Sequence, residues 1–238
     1  MHRWGRVPNT AQPPTSTATA ILPSPLEQAE RLVSLGLHTA AGLGAPALRA
    51  AAGASGDPRA LLVLHPDLIS VRTLAPLLTV NARPGFVVSD MDDVDEFTAI
   101  DSVTVPDRPA YLISDLDRGD AMANWSPDEA LPAITAAGRT PLTLTEGVYW
   151  VLQQPDVLQR GHCFMTIGSR RRKPDGTTDA RTPALWISNG TGRDGPGNRN
   201  APKVGWCWAG NRHTWLGFAS AGARTAGAGG GDNSTPAS

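Results

Sequence analysis

Residues 203–220 have the sequence KVGWCWAGNRHTWLGFAS, and their alternation of large and small side chains predicts β-structure. Successive side chains of a strand point to opposite faces, so residues 204–209 place tryptophans on one face and small side chains on the other. Gly210 and Asn211 are typical turn residues. Alternation resumes over 213–218, which predicts an antiparallel hairpin with a tryptophan-rich face. Such a face either packs a core or lines a ligand pocket.

Upstream of this stretch lie two further strand-like segments, HCFMTIGS (162–169) and PALWIS (183–188). Loops rich in glycine, proline and aspartate separate them from each other and from residues 203–220. Short apolar strands with such connections are typical of antiparallel hairpins. The last part of the folded chain is therefore predicted to be antiparallel β-structure, rich in tryptophan.

The first half of the chain alternates helical patterns with short apolar runs. Apolar positions between Leu26 and Val33 recur at helical spacing, and Gly36 can end that helix. Further helices are predicted over 45–52 and near 70–80. Buried strands are predicted at three runs that are bounded by turn residues, namely ALLVLH (60–65), GFVVSD (85–90) and AYLISD (110–115).

Two later helices have clear start signals. Ser126 and Thr143 are each followed, three residues later, by a glutamate, the pattern of a capping box. Pro127 occupies the first helical position of the earlier helix, where proline is favoured. Pro155 is expected to end the later helix.

These elements predict one compact domain of the α+β class, with α/β as the alternative, over residues 25–220. Helices and short strands come first, and antiparallel hairpins come last. Residues 1–24 are rich in proline, threonine and alanine, which predicts a disordered arm. Residues 221–238 are rich in glycine and alanine, which predicts a disordered tail.

Composition excludes several classes of protein. Hydrophobic residues make up 40% of the 238-residue chain and charged residues 18%, enough apolar content for a core. The formal net charge of −1 gives no bulk attraction to nucleic acid or membrane. Apolar runs of signal-peptide or membrane-spanning length are absent, which predicts a soluble cytoplasmic protein. Two cysteines, Cys163 and Cys207, are too few for a disulfide framework.

Charge is divided unevenly along the chain. Residues 56–146 contain fifteen acidic and six basic residues, a formal charge of −9, whereas residues 160–213 contain ten basic and three acidic residues, a charge of +7. The two segments either pack against each other and partly neutralise one another or offer the basic segment to a partner.

Five segments resemble an uncharacterised family of proteins from actinobacteria and related bacteria. They are NWSPDEALPAI (124–134), GRTPLTLTEG (138–147), HCFMTIGSRR (162–171), RTPALWIS (181–188) and residues 203–220. The resemblance extends over about residues 26–220, most of the chain. It implies a bacterial, cytoplasmic protein of unknown function, and it implies no activity, cofactor or site residue.

The first functional hypothesis is a binding protein for an anionic small molecule or an acidic segment of a partner. Arginine's planar guanidinium pairs well with carboxylates and phosphates, and tryptophan rings can line a pocket. The candidate residues are Arg170, Arg171, Trp206, Trp208, Arg212, His213 and Trp215. Because the tryptophans lie inside apolar strand patterns, rather than interleaved with basic residues, the pattern argues against nucleic acid.

The second hypothesis is a metal-assisted or phosphoryl-transfer hydrolase. Two predicted strands end in similar sequences, FVVSDMDDVD (86–95) and YLISDLDRGD (111–120). If these strands are neighbours, four carboxylates meet at one sheet edge, where they suit a cation such as Mg²⁺. The four are Asp90, Asp92, Asp115 and Asp117. Residues 90–94 also resemble the nucleophile loop of haloacid-dehalogenase-type phosphatases, without that family's supporting lysine. Aspartates after a strand are also ordinary turn and cap residues.

Other motifs are weaker. His162, Cys163, Cys207 and His213 are zinc-ligand types without the paired spacing of structural zinc sites. Cys207 and His213 could alternatively form a catalytic pair, although buried small hydrophobes are the more common role of such cysteines. Residues 189–195 contain a GxGxxG pattern, but the following PGNRNAPK cannot open the helix that a dinucleotide site needs. The third hypothesis is a structural or interaction protein without pocket chemistry.

Overall fold

The computed structural model describes residues 21–226. Its α-helices are α1 (Pro25–Ser34), α2 (Leu37–Ala40), α3 (Ala45–Gly53), α4 (Val71–Leu74), α5 (Pro127–Ala136) and α6 (Leu144–Gln153). Its 3₁₀ turns are Ala75–Leu77, Val94–Glu96, Asp120–Met122, Pro155–Val157, Gly192–Asp194 and Pro196–Asn198. Its strands are β1 (Leu61–Leu64), β2 (Thr79–Val80), β3 (Arg83–Pro84), β4 (Phe86–Val87), β5 (Thr98–Ala99), β6 (Ala110–Ser114), β7 (Thr140–Pro141), β8 (Cys163–Met165), β9 (Ser169–Arg170), β10 (Arg181–Ile187), β11 (Pro202–Trp208), β12 (Leu216–Phe218), β13 (Ser220–Ala221) and β14 (Ala223–Ala226).

Two sheets form the framework of the described chain. One is three-stranded and antiparallel, with the strand order β1–β6–β14. The other is five-stranded and mixed, with the order β12–β8–β10–β11–β4. In it β8, β10 and β11 are antiparallel neighbours, whereas β12 and β4 are parallel to their partners. The fold is α+β, as the sequence predicts, and the antiparallel C-terminal strands are present.

Helix α6 lies between the two sheets and contacts β1 on one side and β10 on the other. All ten of its residues are buried. Its N-terminus has the predicted capping box, in which Thr143 accepts from the backbone N–H of Glu146 and the Glu146 carboxylate accepts from the N–H of Thr143. Gly147 permits the close approach to the larger sheet, since a Cβ there would lie 2.5 Å from Cγ2 of Thr166. None of the helices within residues 21–226 combines the length and apolar character needed to cross a membrane.

The predicted hairpin between residues 203–208 and 213–218 is wrong. Strands β11 and β12 belong to the same sheet, but β10 and β8 lie between them, and β12 pairs in parallel with β8. A turn does follow β11, because the N–H of Asn211 donates to the carbonyl of Trp208. Alternation of residue types identifies a strand and its two faces, but it does not identify the strand with which it pairs. The residues after the turn lead the chain across the sheet to β8.

The predicted C-terminal boundary at residue 220 is also wrong. Ala221 pairs with Thr140, and residues 223–226 form the third strand of the smaller sheet. The composition of this segment resembles a flexible tail, whereas its order comes from long-range contacts of Arg224. Most of the predicted arm and the rest of the predicted tail, residues 1–20 and 227–238, lie outside the described residues.

The helix predicted near 70–80 is shorter than expected. Helix α4 covers Val71–Leu74 and continues as a 3₁₀ turn over Ala75–Leu77. Pro76 lacks the N–H that a continuing α-helix would need. The short helix and the turn bring the chain to β4, next to β11.

Candidate functional site

Ion pairs join the acidic and basic segments of the chain. Arginines of residues 160–213 pair with carboxylates of residues 56–146: Arg171 with Asp93 and Glu96, Arg172 with Asp101, Arg181 with Asp93, Arg193 with Asp90, and Arg212 with Glu129. The two segments therefore partly neutralise each other within the fold, as one of the two explanations of the charge division expects. These guanidinium groups are already bound to carboxylates, which reduces their attraction for an external anion.

Arg181 is the centre of the most buried of these clusters. Its guanidinium donates to both carboxylate oxygens of Asp93, at 3.0 and 2.5 Å, and to Oδ2 of Asp179 at 2.8 Å. The side chains of Arg181 and Asp93 are each 14% exposed and that of Asp179 is 9% exposed. The hydrogen bonds from Arg181 lower the pKa of both carboxyl groups, that of Asp179 to about 2.

This cluster predicts acid sensitivity with a defined sign. Because both carboxyl pKa values are lower in the folded state, the cluster stabilises the fold fully above pH ~5, and this contribution is lost as the pH falls from about 4 towards 2. We expect Asp179→Asn to be less stable than wild type at pH 7 and to lose less stability on acidification. Urea unfolding midpoints between pH 7 and pH 3 measure this, with exposed Asp107→Asn as the control. Parallel pH profiles of wild type and Asp179→Asn would contradict it.

The structure places the seven candidate arginine, histidine and tryptophan residues in separate groups. Arg170 donates to the backbone oxygen of Asp179, close to Arg171. Trp206 and Trp208 contact each other edge to face, with centroids 4.6 Å apart, and Trp208 is 49% exposed. Arg212 pairs with Glu129, and His213 lies against Trp215 with ring centroids 5.3 Å apart. Of the seven, Trp215 lines the cavity described next.

A cavity of about 520 Å³ lies on the face of β10 and β11 that bears Trp186 and Lys203. The rings of Trp186 and Trp215 form an edge-to-face pair in its wall, with centroids 6.0 Å apart. Gly205 admits the Trp186 ring, because a Cβ at that position would lie 2.9 Å from Cη2 of Trp186. We call this cavity the tryptophan pocket; it is also lined by Arg160, Cys163, Cys207 and residues of the 189–194 loop.

The loop between β10 and β11 is fixed over the tryptophan pocket by a buried ion pair. Nζ of Lys203 donates to Oδ1 of Asp194 at 2.6 Å, and Oγ of Ser188 donates to Oδ2 of Asp194 at 2.8 Å. Nζ also lies 4.1 Å from the centroid of the Trp186 ring, a cation–π contact. Burial lowers the pKa of Lys203, and the hydrogen bond to Asp194 opposes this. The pair therefore holds both the loop and the ring in place.

Arg160 lies exposed at the rim of the same pocket. Its guanidinium donates to the side-chain oxygen of Asn189 at 2.7 Å and to that of Asn200 at 2.6 Å. Within residues 21–226, no carboxylate oxygen lies within 4.0 Å of this guanidinium. The two neutral amides therefore hold the Arg160 guanidinium in one orientation and leave its positive charge available to pair with an anion.

The structure does not bring the four candidate aspartates together. The strands that precede them belong to different sheets, β4 to the larger and β6 to the smaller. Asp90 pairs with Arg193, Asp115 pairs with Arg139, Asp117 accepts from the N–H of Gly119, and Asp92 is exposed. In the described part of the chain, no group of three or more His, Cys, Asp or Glu side chains is placed to hold a metal ion.

Cys163, Cys207 and the GxGxxG loop line the tryptophan pocket, but they do not act there as a nucleophile or as a dinucleotide site. Burial raises the pKa of both Cys163 and Cys207 to about 11, so neither thiol is activated as a nucleophile. Strand β10 separates the strands that carry them. The GxGxxG loop leads through two 3₁₀ turns into β11 rather than into an α-helix. It therefore lacks the geometry of a dinucleotide site but covers the pocket.

Sequence reasoning missed Arg160, Trp186, Lys203 and Asp194 as site residues. One signal was present: the chain has only two lysines, and Lys203 begins an otherwise apolar strand. A buried lysine must be paired, so a partner carboxylate could have been expected. The role of Arg160 had no local signal, because both of its amide partners come from the distant 189–200 loop.

Comparison with known proteins gives one match. Neither the curated proteins nor the solved structures include a match to this chain. A family model described as a family of unknown function, DUF5701, matches residues 31–227 and so includes both sheets and the tryptophan pocket. The chain therefore belongs to DUF5701, a family of unknown function.

Proposed function

We propose that the protein binds a small anionic molecule with a flat, apolar body in the tryptophan pocket. The proposal rests mainly on the environment of Arg160. Two amide oxygens orient its guanidinium, which lacks a carboxylate partner among residues 21–226. The anionic group of the ligand would pair with Arg160, and its apolar body would lie against Trp215.

The charges around the pocket support an anion. Arg160, Arg193 and Lys203 line it together with a single carboxylate, that of Asp194. Arg193 is neutralised by Asp90, which lies outside the lining. The excess of positive charge attracts anions, and the planar fork of arginine can pair with a carboxylate or a phosphate through two hydrogen bonds.

The shape of the pocket supports a small molecule rather than an acidic segment of a partner protein. Its volume of about 520 Å³ is within the range of typical small-molecule sites, roughly 300–1,000 Å³. Trp186 and Trp215 provide the apolar wall, and the loop held by Asp194 forms another part of the lining. An extended peptide would need a longer open groove.

Benzoate is a suitable probe because it combines a carboxylate with a flat ring. We expect benzoate to shift the indole N–H signals of Trp186 and Trp215 in ¹H–¹⁵N NMR spectra of the protein. Arg160→Gln should weaken benzoate binding by about 10-fold or more, since a hydrogen bond to a charged group contributes about 1.5–3 kcal/mol. Arg59→Gln, an exposed arginine remote from this pocket's lining, is the matched control and should bind benzoate like wild type.

Two results would contradict the proposal. If Arg160→Gln binds benzoate as tightly as Arg59→Gln, the carboxylate is not recognised by Arg160. If benzyl alcohol, which has the ring without the charge, binds this pocket as tightly as benzoate, the site does not select anions.

A cytoplasmic location is part of the proposal. Cys163 and Cys207 are free thiols on strands that β10 separates. Unpaired cysteines are typical of proteins in reducing compartments.

A further inference from the structure

A second and larger cavity lies at the N-terminus of α6. Its volume is about 660 Å³. Its walls come from residues 65–73, from residues 94–99 and from the first turn of α6. We call this cavity the α6 cleft. It shares no lining residue with the tryptophan pocket.

Thr145 presents unused hydrogen-bonding groups to the α6 cleft. It lines the cleft and is only 8% exposed. Its neighbours in the first turn are satisfied, since the N–H of Leu144 donates to Oγ of Ser169 and that of Glu146 donates to Oγ1 of Thr143. Within residues 21–226, neither the hydroxyl nor the backbone N–H of Thr145 has a hydrogen-bond partner. The N–H of Thr145 is one of the unpaired donors of a helix N-terminus, and both groups are free to donate to a ligand atom in the cleft.

The remaining lining is mainly apolar, with acidic residues at the mouth. Leu68, Ile69, Phe97 and Val105 supply apolar surface. Asp67 and Asp95 also line the cleft, and their side chains are 86% and 41% exposed. Asp95 is paired with Arg72 and Glu146 with Arg224, so the exposed carboxylate of Asp67 is the charge on this lining that opposes the entry of an anion. The donors at Thr145 therefore suit a neutral acceptor.

We propose that the α6 cleft binds a neutral small molecule with an apolar or aromatic body and a carbonyl or hydroxyl oxygen. That oxygen accepts from the N–H and the hydroxyl of Thr145, and the body of the molecule lies against Phe97 and Ile69. This site is independent of the tryptophan pocket and differs from it in the charge of the ligand it selects.

Acetophenone, a neutral aromatic carbonyl compound, is the probe. Titration into the ¹⁵N-labelled protein should shift the backbone amide signal of Thr145 and leave the indole signals of Trp186 and Trp215 in place. Thr145→Val should weaken binding about fivefold, the effect of losing one neutral hydrogen bond. Ala99→Trp fills the cleft from exposed strand β5 and should abolish binding. Thr135→Val, an exposed threonine on α5, is the matched control and should bind like wild type.

The proposal is overturned if acetophenone leaves the Thr145 amide signal unchanged, or if Thr145→Val and Thr135→Val bind it equally well. It is also overturned if benzoate shifts the Thr145 amide at lower concentration than acetophenone does, because the cleft would then select anions. If benzoate does not bind the tryptophan pocket, these outcomes are unaffected. Binding there is followed by the indole signals of Trp186 and Trp215, whereas binding in the α6 cleft is followed by the amide signal of Thr145.

Discussion

Replacing Arg224 with alanine is expected to lower the free energy of unfolding by about 3–5 kcal/mol, the typical effect of breaking a buried ion pair. The Glu146 side chain is fully buried and that of Arg224 is 5% exposed. Nε and Nη2 of Arg224 donate to the two carboxylate oxygens of Glu146 at 2.6 and 2.7 Å. Without Arg224, a buried carboxylate at the start of the central helix α6 loses its only cationic partner among residues 21–226.

Other contacts of Arg224 add to the expected effect. Its Nη2 also donates to the carbonyl of Pro141 at 2.9 Å, and Tyr111 donates its hydroxyl to Glu146 at 3.0 Å. The network thus joins β14, β6, β7 and α6, so we expect loss of Arg224 to destabilise more of the fold than the C-terminal strand alone.

Urea unfolding at neutral pH measures this prediction. Thr225→Ala is the matched control, because Thr225 is the next residue of the same strand and is exposed. Its effect should be below about 0.5 kcal/mol. Equal unfolding midpoints for Arg224→Ala and Thr225→Ala would mean that β14 is not anchored by this ion pair.

Gln28→Met is expected to destabilise the fold by about 3–5 kcal/mol, because it leaves buried backbone groups unpaired at about 1–3 kcal/mol each. Gln28 is fully buried on α1. Its Nε2 donates to the carbonyls of Pro23 and Ala60 at 2.7 and 2.8 Å, and its Oε1 accepts from the N–H of Leu62 at 2.8 Å. Methionine preserves the approximate shape of glutamine and removes all three hydrogen bonds.

Gln28 has this large expected effect because β1, the strand next to it, is an edge strand of the smaller sheet. The side chain of Gln28 pairs with backbone groups at this edge in place of a neighbouring strand. Glu30→Met on the same helix is the control, because Glu30 forms an exposed ion pair with Arg49 and such pairs contribute little to stability. A Gln28→Met variant that unfolds at the same urea concentration as Glu30→Met would refute this role.

Local features of the fold were predictable because their signals lie within a few residues of one another. The capping boxes at Ser126 and Thr143 begin α5 and α6 as the sequence predicts. Gly36 follows α1 with a positive φ of 72°, a conformation that favours glycine. The apolar runs near residues 61, 86 and 110 are strands β1, β4 and β6.

Pairings between distant residues were not predictable in the same way. The alternation in residues 203–218 is compatible with a hairpin, yet β12 pairs with β8, some fifty residues earlier in the chain. Arg224 lies in a segment whose composition suggests disorder, while its partner Glu146 is 78 residues away. Arg160 likewise depends on loop residues 29 and 40 positions later. Local sequence patterns do not encode such partners.

A crystal structure of the protein grown with benzoate would locate the proposed anion site directly. We expect benzoate in the tryptophan pocket, with its carboxylate paired to the guanidinium of Arg160 and its ring against Trp215. Benzoate bound at Trp206 and the exposed Trp208, or an empty tryptophan pocket in crystals saturated with the probe, would show that the tryptophan pocket is not the anion site.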